Sequence, residues 1–509
     1  MKRVLCTVLA LVPLLSSAAA HAACSGSGIA WLCPAGASIS DVQAAINSAS
    51  DGAVITFAAG SYTWGSEASF SNSAGATLAC TSVGACTVSV TAGAVLGITS
   101  LSAGTNSKLY RISGFTFNQS TNHFVLWFGS NCPCTGDNVY TQIRIDHNTF
   151  NLAAGSVAVF FGENSTISSF YGVIDHNTVS SASSVSLLNM IGATNNSPPP
   201  SPLGTANNMF VENNTITITT MTNAGDSCMD VWGGHAIVWR HNTSLNCLIA
   251  AHGVTHSGGP QNIELYDNSL SVNSGSVGQS EQDGYRLFHH QGSGEFIAFN
   301  NSFTAYSGKN SEVISMLHYC DYVNCIDSSP GATQCNGTEA RDGNRLPMTT
   351  NRGYPCWRQP GRDFAGNYVP MYVWNNYWSD TLAQIPLVAP DEGGSPDYYS
   401  NHMQANREWY NAVSAAAQTS SSSPFNGTTG MGFGTLANRP TTCTTNATES
   451  GAGVGYFATD VGAQGTLYTC SSTNTWTVFY TPYTYPHPLV TGGQTSPPAA
   501  PTKPAAVAH

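Results

Sequence analysis

The chain has 509 residues, enough for several ordinary domains or for one long repeat array. Charged residues make up only 9%, where soluble domains carry about 25%, and Ser, Thr, Asn and Gly fill the difference. A net charge of -12 argues against a broad nucleic-acid footprint, and no stretch approaches the ~20 apolar residues of a membrane span.

Residues 1–22 read as a secretory signal, with Lys2 and Arg3 before the apolar run VLCTVLALVPLL and Ala20-His21-Ala22 at the cleavage position. The expected location is therefore outside the cytoplasm, extracellular or periplasmic, without membrane insertion. Of 15 cysteines, Cys6 falls in the signal; the even remainder in an exported chain reads as disulfides. Local spacing suggests Cys24–Cys33, Cys80–Cys86, Cys228–Cys247 and Cys443–Cys470. Cys320, Cys325, Cys335 and Cys356 share one loop, and Cys132 and Cys134 are too close for an unstrained ring.

Residues 38–60 combine a capping box at Ser40 and Gln43, an apolar stripe of Val42, Ala45 and Ile46, and then the strand VITF. One amphipathic helix before the first strand suits a solenoid, whose end coil would otherwise expose its core. Short β-rich runs fill 61–118. From 144 a repeat is explicit: RIDHNTF, VIDHNTV, FVENNTI, WRHNTS, LYDNSL, FNNSF and WNNYW. Its first six asparagines are roughly 26–37 residues apart, the length of one supersecondary unit.

This pattern predicts a stack of parallel coils. Ile145, Ile174, Val211, Trp239 and Leu265 would line one interior column. Asn148, Asn177, Asn214, Asn242, Asn268, Asn301 and Asn376 would stack at one corner, where Asn tolerates left-handed backbone. The expected organisation is a signal at 1–22, the coil domain at 23–380, an excursion at 381–430, a C-terminal aromatic β-rich piece at 431–489 and a Pro/Ala-rich disordered tail at 490–509.

The cap helix, the GSYTW start and the H/N-N-T/S repeat resemble the right-handed parallel β-helix of the pectin-lyase-like superfamily. VWRHNTSLNCLIAAHG, IELYDNSL and GYPCWRQPGRD resemble a group of secreted bacterial β-helix proteins. The resemblance implies an all-β solenoid and a long polysaccharide laid along its strands; it does not fix a reaction.

The chemistry-bearing residues concentrate near 230–290. A polysaccharide lyase needs a base for the proton beside a uronate carboxylate and a group that neutralises that carboxylate. Arg286 or His252 is the candidate base, with His289 assisting. Asp230 and Asp283 would orient them or hold Ca²⁺; His256, His290 and Trp232 would contact substrate. No cofactor is required by the sequence, and no loop has a calcium motif, although Asp226 with Asp230, or Asp321 with Asp327, supply carboxylates. Two alternatives stand beside the lyase: a non-catalytic carbohydrate-binding or adhesive protein, and a glycoside hydrolase. The hydrolase would use paired carboxylates, but the adjacent Asp residues and Arg-Ile-Lys motif of the polygalacturonase pattern are absent. The expected acting unit is a monomer whose partner is a polysaccharide.

Overall fold

The computed structural model describes residues 23–70, 75–98, 109–129, 138–162, 168–191, 203–220, 228–232, 235–251, 262–272, 288–291, 294–304, 313–317, 355, 360–362, 367–388, 404–412, 425–449 and 451–491. These residues form a right-handed parallel β-helix. Each coil contributes one strand to each of three long sheets, which hold 13, 10 and 10 strands in chain order. Neighbouring rungs lie about 4.8 Å apart.

Helix α1 (Ile39–Ser48) closes the N-terminal end, burying Val42, Ala45 and Ile46. Its cap lies two residues earlier than Ser40, where the sequence reading placed it. Ser38 is the N-cap, accepting from the Asp41 N–H while the Asp41 carboxylate accepts from the Ser38 N–H. Gln43 is thereby free to join the helix to the first coil: its amide donates to the Ser69 carbonyl and accepts from the Ser69 N–H.

The interior column forms as expected. Ile145, Ile174, Val211, Trp239 and Leu265 follow one another in register through the first sheet, all fully buried. The asparagines likewise form an unbroken ladder. Each side-chain Nδ2 donates to the next Oδ1, from Asn148 to Asn177 at 3.1 Å through to Asn301 to Asn376 at 2.7 Å. The left-handed residue, however, is the one before each ladder asparagine. His147, His176, Asn213, His241, Asp267, Asn300 and Asn375 have φ between 50° and 57°. The corner thus divides two tasks. The first residue makes the bend; the second turns its amide inward, where it bonds a neighbouring rung and an interior carbonyl such as that of Ile145. Asn301 and Asn376 are 75 positions apart yet adjacent in the ladder.

The outer face of the first sheet carries Arg111, Arg144, Asp146, Asp175, Glu212 and Arg240, which alternation alone would give to solvent. It is instead covered by residues 425–491. Their four-stranded sheet comprises Met431–Gly434, Gly455–Ala458, Thr466–Ser472 and Thr475–Tyr480. Phe457 packs on Trp374 and Phe299, at 4.7 and 5.3 Å between ring centroids. Under this cover Arg144 pairs with Asp175 at 2.9 Å and Arg240 with Glu212 at 2.6 Å. The remaining guanidinium N–H groups donate to the carbonyls of Leu489, Tyr483 and Thr484. Burial would lower the Arg240 pKa, but Tyr266 and Glu212 outweigh it and hold the group charged. Burial likewise would raise Asp146, yet Arg111, His147 and Arg144 keep it well below the usual carboxylate range.

All four local disulfides form: Cys24–Cys33, Cys80–Cys86, Cys228–Cys247 and Cys443–Cys470. Cys132, Cys134, Cys320, Cys325, Cys335, Cys356 and the signal at 1–22 lie outside the described residues. Among the described residues no helix is long and apolar enough to cross a membrane.

Candidate functional site

Among the described residues, covering the first sheet leaves the outer faces of the second and third. Four of the candidate residues, Asp230, Trp232, His289 and His290, fall on strands of the third sheet. Two register lines of its strands enter the core: Leu126, Val159, Leu188, Met229 and Ile249 form one, and Phe128, Phe161, Met190 and Val231 the other, all buried. The line between them runs Trp127, Phe160, Asn189, Asp230, Ala250, His289 and Ser315. Asp230 and His289 therefore share one line, two rungs apart, or about 10 Å at strand spacing. Trp232 occupies the next such position, beside Ile191. His290 falls in the line of Val231 and Met190, which is a core line.

His252, His256, Asp283 and Arg286 lie outside the described residues, as do Asp226, Asp321 and Asp327; Trp232, His289 and His290 are placed by their backbone. Asp230 is half-buried. Among the described residues no group of three or more His, Cys, Asp or Glu side chains stands close enough to hold a metal ion.

Sequence reasoning missed the aromatic end of this line. Phe124 stacks on Phe160 at 4.2 Å with an 18° interplanar angle, and Trp127 meets both rings edge-on at 5.6 and 5.9 Å. The Trp127 indole N–H donates to the Gly162 carbonyl of the next rung at 3.3 Å, which fixes the ring's tilt. Phe124 and Trp127 are half-buried, so part of each ring meets solvent. In the sequence FVLWF and VAVFFG read as plain core strands. Aligning them on the asparagine corners would have set the parity and shown Trp127 and Phe160 outside the core.

The face thus joins an aromatic surface to an amide, a carboxylate and a histidine position over six rungs. Rings of this kind stack on the C–H faces of pyranoses, and the polar groups can hydrogen-bond their hydroxyls. Comparison with family models, curated proteins and solved structures found no match. The chemistry of this face must therefore carry any functional reading.

Proposed function

We propose that the protein is a secreted carbohydrate-active β-helix that holds an acidic polysaccharide along the outer face of the third sheet and cleaves it by β-elimination. The parallel-coil fold and the four disulfides fit such an exported protein. The observation that carries the reading is the single register line from Trp127 and Phe160 to Asp230 and His289. A polymer laid along that line would stack on the rings at one end and reach the titratable groups at the other.

In this reading Arg286 or His252 takes the proton beside the uronate carboxylate. The electron pair forms the new carbon–carbon double bond as the glycosidic carbon–oxygen bond breaks. His289 helps return a proton to the departing oxygen, while Asp230 and Asp283 orient these groups or hold Ca²⁺. The test is ultraviolet absorbance of the unsaturated product over pectate, alginate and glycosaminoglycan substrates. His289→Ala should remove it by more than a hundredfold while polymer retention persists. Reducing ends without that absorbance would replace the lyase with a hydrolase.

The aromatic cluster favours a second reading, because the half-buried Phe124 and Trp127 could bind a glycan with no chemistry at all. Retention of polymer on the wild-type protein, with neither product formed, would establish that reading.

A further inference from the structure

Among the described residues the second sheet forms another uncovered wall, and its composition differs from that of the third. Along one outward line every rung from Ser61 to Ser302 carries Ser or Thr, with Thr at Thr116, Thr149, Thr178 and Thr215 in unbroken register. All these positions are exposed or half-exposed. The parallel line two residues on passes through Asn118, Asn151, Ser180 and Thr217. Neither of these stretches contains an ionisable side chain.

A groove of about 570 Å³ crosses the second line, bordered also by Thr219 and Gln119. Its amides are already aligned. Asn151 Nδ2 donates to Asn118 Oδ1, and Ser180 Oγ donates to Asn151 Oδ1, both at 2.7 Å. The chain of bonds fixes the rotamers and leaves the second amide hydrogens available. Gln119, only 4% exposed and in register with the core residues Val90 and Leu152, lies at the groove's inner margin and takes no part in the outward line.

We propose that this groove binds a neutral polysaccharide, extended along the coil axis with about one sugar per rung. Successive rungs repeat about every 4.8 Å, a step close to one residue of an extended β-linked glycan. Each sugar would then meet the same amide or hydroxyl environment as the last. The groove's size lies in the ~300–1,000 Å³ range of small-molecule sites. The lack of cations along both stretches selects for sugars without carboxylates. This wall lies on a different sheet from the acidic-polymer face, so the two readings stand or fall separately.

The test uses the full-length protein and three soluble probes: β-1,4-linked hexasaccharides of glucose and of mannose, and hexagalacturonate. Titration should show that at least one neutral hexasaccharide binds. The double variant Asn151→Ala, Thr217→Ala should weaken that binding about tenfold or more, whereas Trp127→Ala leaves it unchanged. Both substituted side chains lie on the solvent side of the sheet, so an unaltered melting curve shows the fold intact. Thr178→Arg, which places a bulky cation on the adjoining line, should block the neutral probe as well. Absence of neutral binding, neutral binding unchanged in the double variant and in Thr178→Arg, or its loss in Trp127→Ala would overturn the proposal. So would tighter binding of hexagalacturonate than of the neutral probes at this groove. Failure of acidic substrates to be cleaved would bear only on the third sheet.

Discussion

Replacing Asn214 with Ala tests the corner on which the coil stack depends. Asn214 is 1% exposed. Its Nδ2 donates to Asn242 Oδ1 at 3.0 Å, to the Ile174 carbonyl at 2.9 Å and to the Glu212 carbonyl at 3.1 Å. Its Oδ1 accepts from the Asn177 N–H at 2.9 Å and Asn177 Nδ2 at 3.0 Å. Asn177 Nδ2 keeps two carbonyl partners, those of Ile145 and Asp175, so its loss is small. The Asn177 N–H and the Ile174 carbonyl lose bonds in the buried interior, at ~1–3 kcal/mol each. Adding the amide-sized void gives a destabilisation of about 3–5 kcal/mol. Denaturant unfolding followed by circular dichroism measures it, with Thr178→Ala on the exposed face as the control, expected within about 0.5 kcal/mol. Because coils contact only their neighbours, hydrogen exchange should quicken chiefly between Asn177 and Asn242. A shift no larger than the control's would refute the claim that the ladder holds the corners.

Three further outcomes follow from the described residues. Burial raises the Glu264 pKa, against the opposing hydrogen bonds from the Gly204 N–H, the Tyr480 hydroxyl and Asn262. A raised folded pKa gives stability that is complete below the ordinary carboxylate range and is lost as pH rises through the folded value. Glu264→Gln should flatten that decline in denaturation midpoints measured across a pH series. His487 behaves oppositely: burial, then Arg240 and Arg144, lower its pKa to about 3 from 6.5, so stability falls as pH drops below 6.5 and the unfolded imidazole takes up its proton first. His487→Asn should lessen the loss between pH 6.5 and 3, read from the same series. Trp127→Ala should weaken acidic-polymer retention about tenfold, since one aromatic contact contributes ~1–1.5 kcal/mol, with little change in melting temperature.

The coil was legible because its period is marked by a residue type with a definite task. Asn148 through Asn376 align in the sequence as they do in the ladder, and Ile145 through Leu265 follow at fixed offsets. The details of each terminus were less legible. Ser38 and Ser40 both suit an N-cap, and only the placement of Asp41 against Ser38 decides between them. The left-handed residue was displaced by one because His, Asp and Asn all tolerate that conformation, so composition does not separate bend from ladder. The buried charges of the first sheet were hidden for another reason. Arg144 and Arg240 occupy outward positions by alternation, and what removes water from them is a segment far along the chain. Around the candidate site, Asp230 and His289 could be named from residue type, but their common line depends on the rung carrying Ala250. Trp127 and Phe160 were lost among apolar neighbours because inside and outside differ by a single step of register.

The tethers from the first sheet to the C-terminal residues also set a timetable. Arg240 and Tyr483 are 243 positions apart, and Arg144 and Leu489 are 345. Coils can wind one upon another as the polypeptide emerges from synthesis, since each needs only its predecessor. The latch over Arg144, Asp175, Glu212 and Arg240 cannot shut until residues 483–490 arrive. Maturation is therefore a zipper that runs early and a clasp that closes late, and the interval between them is when this wall lies open to proteases.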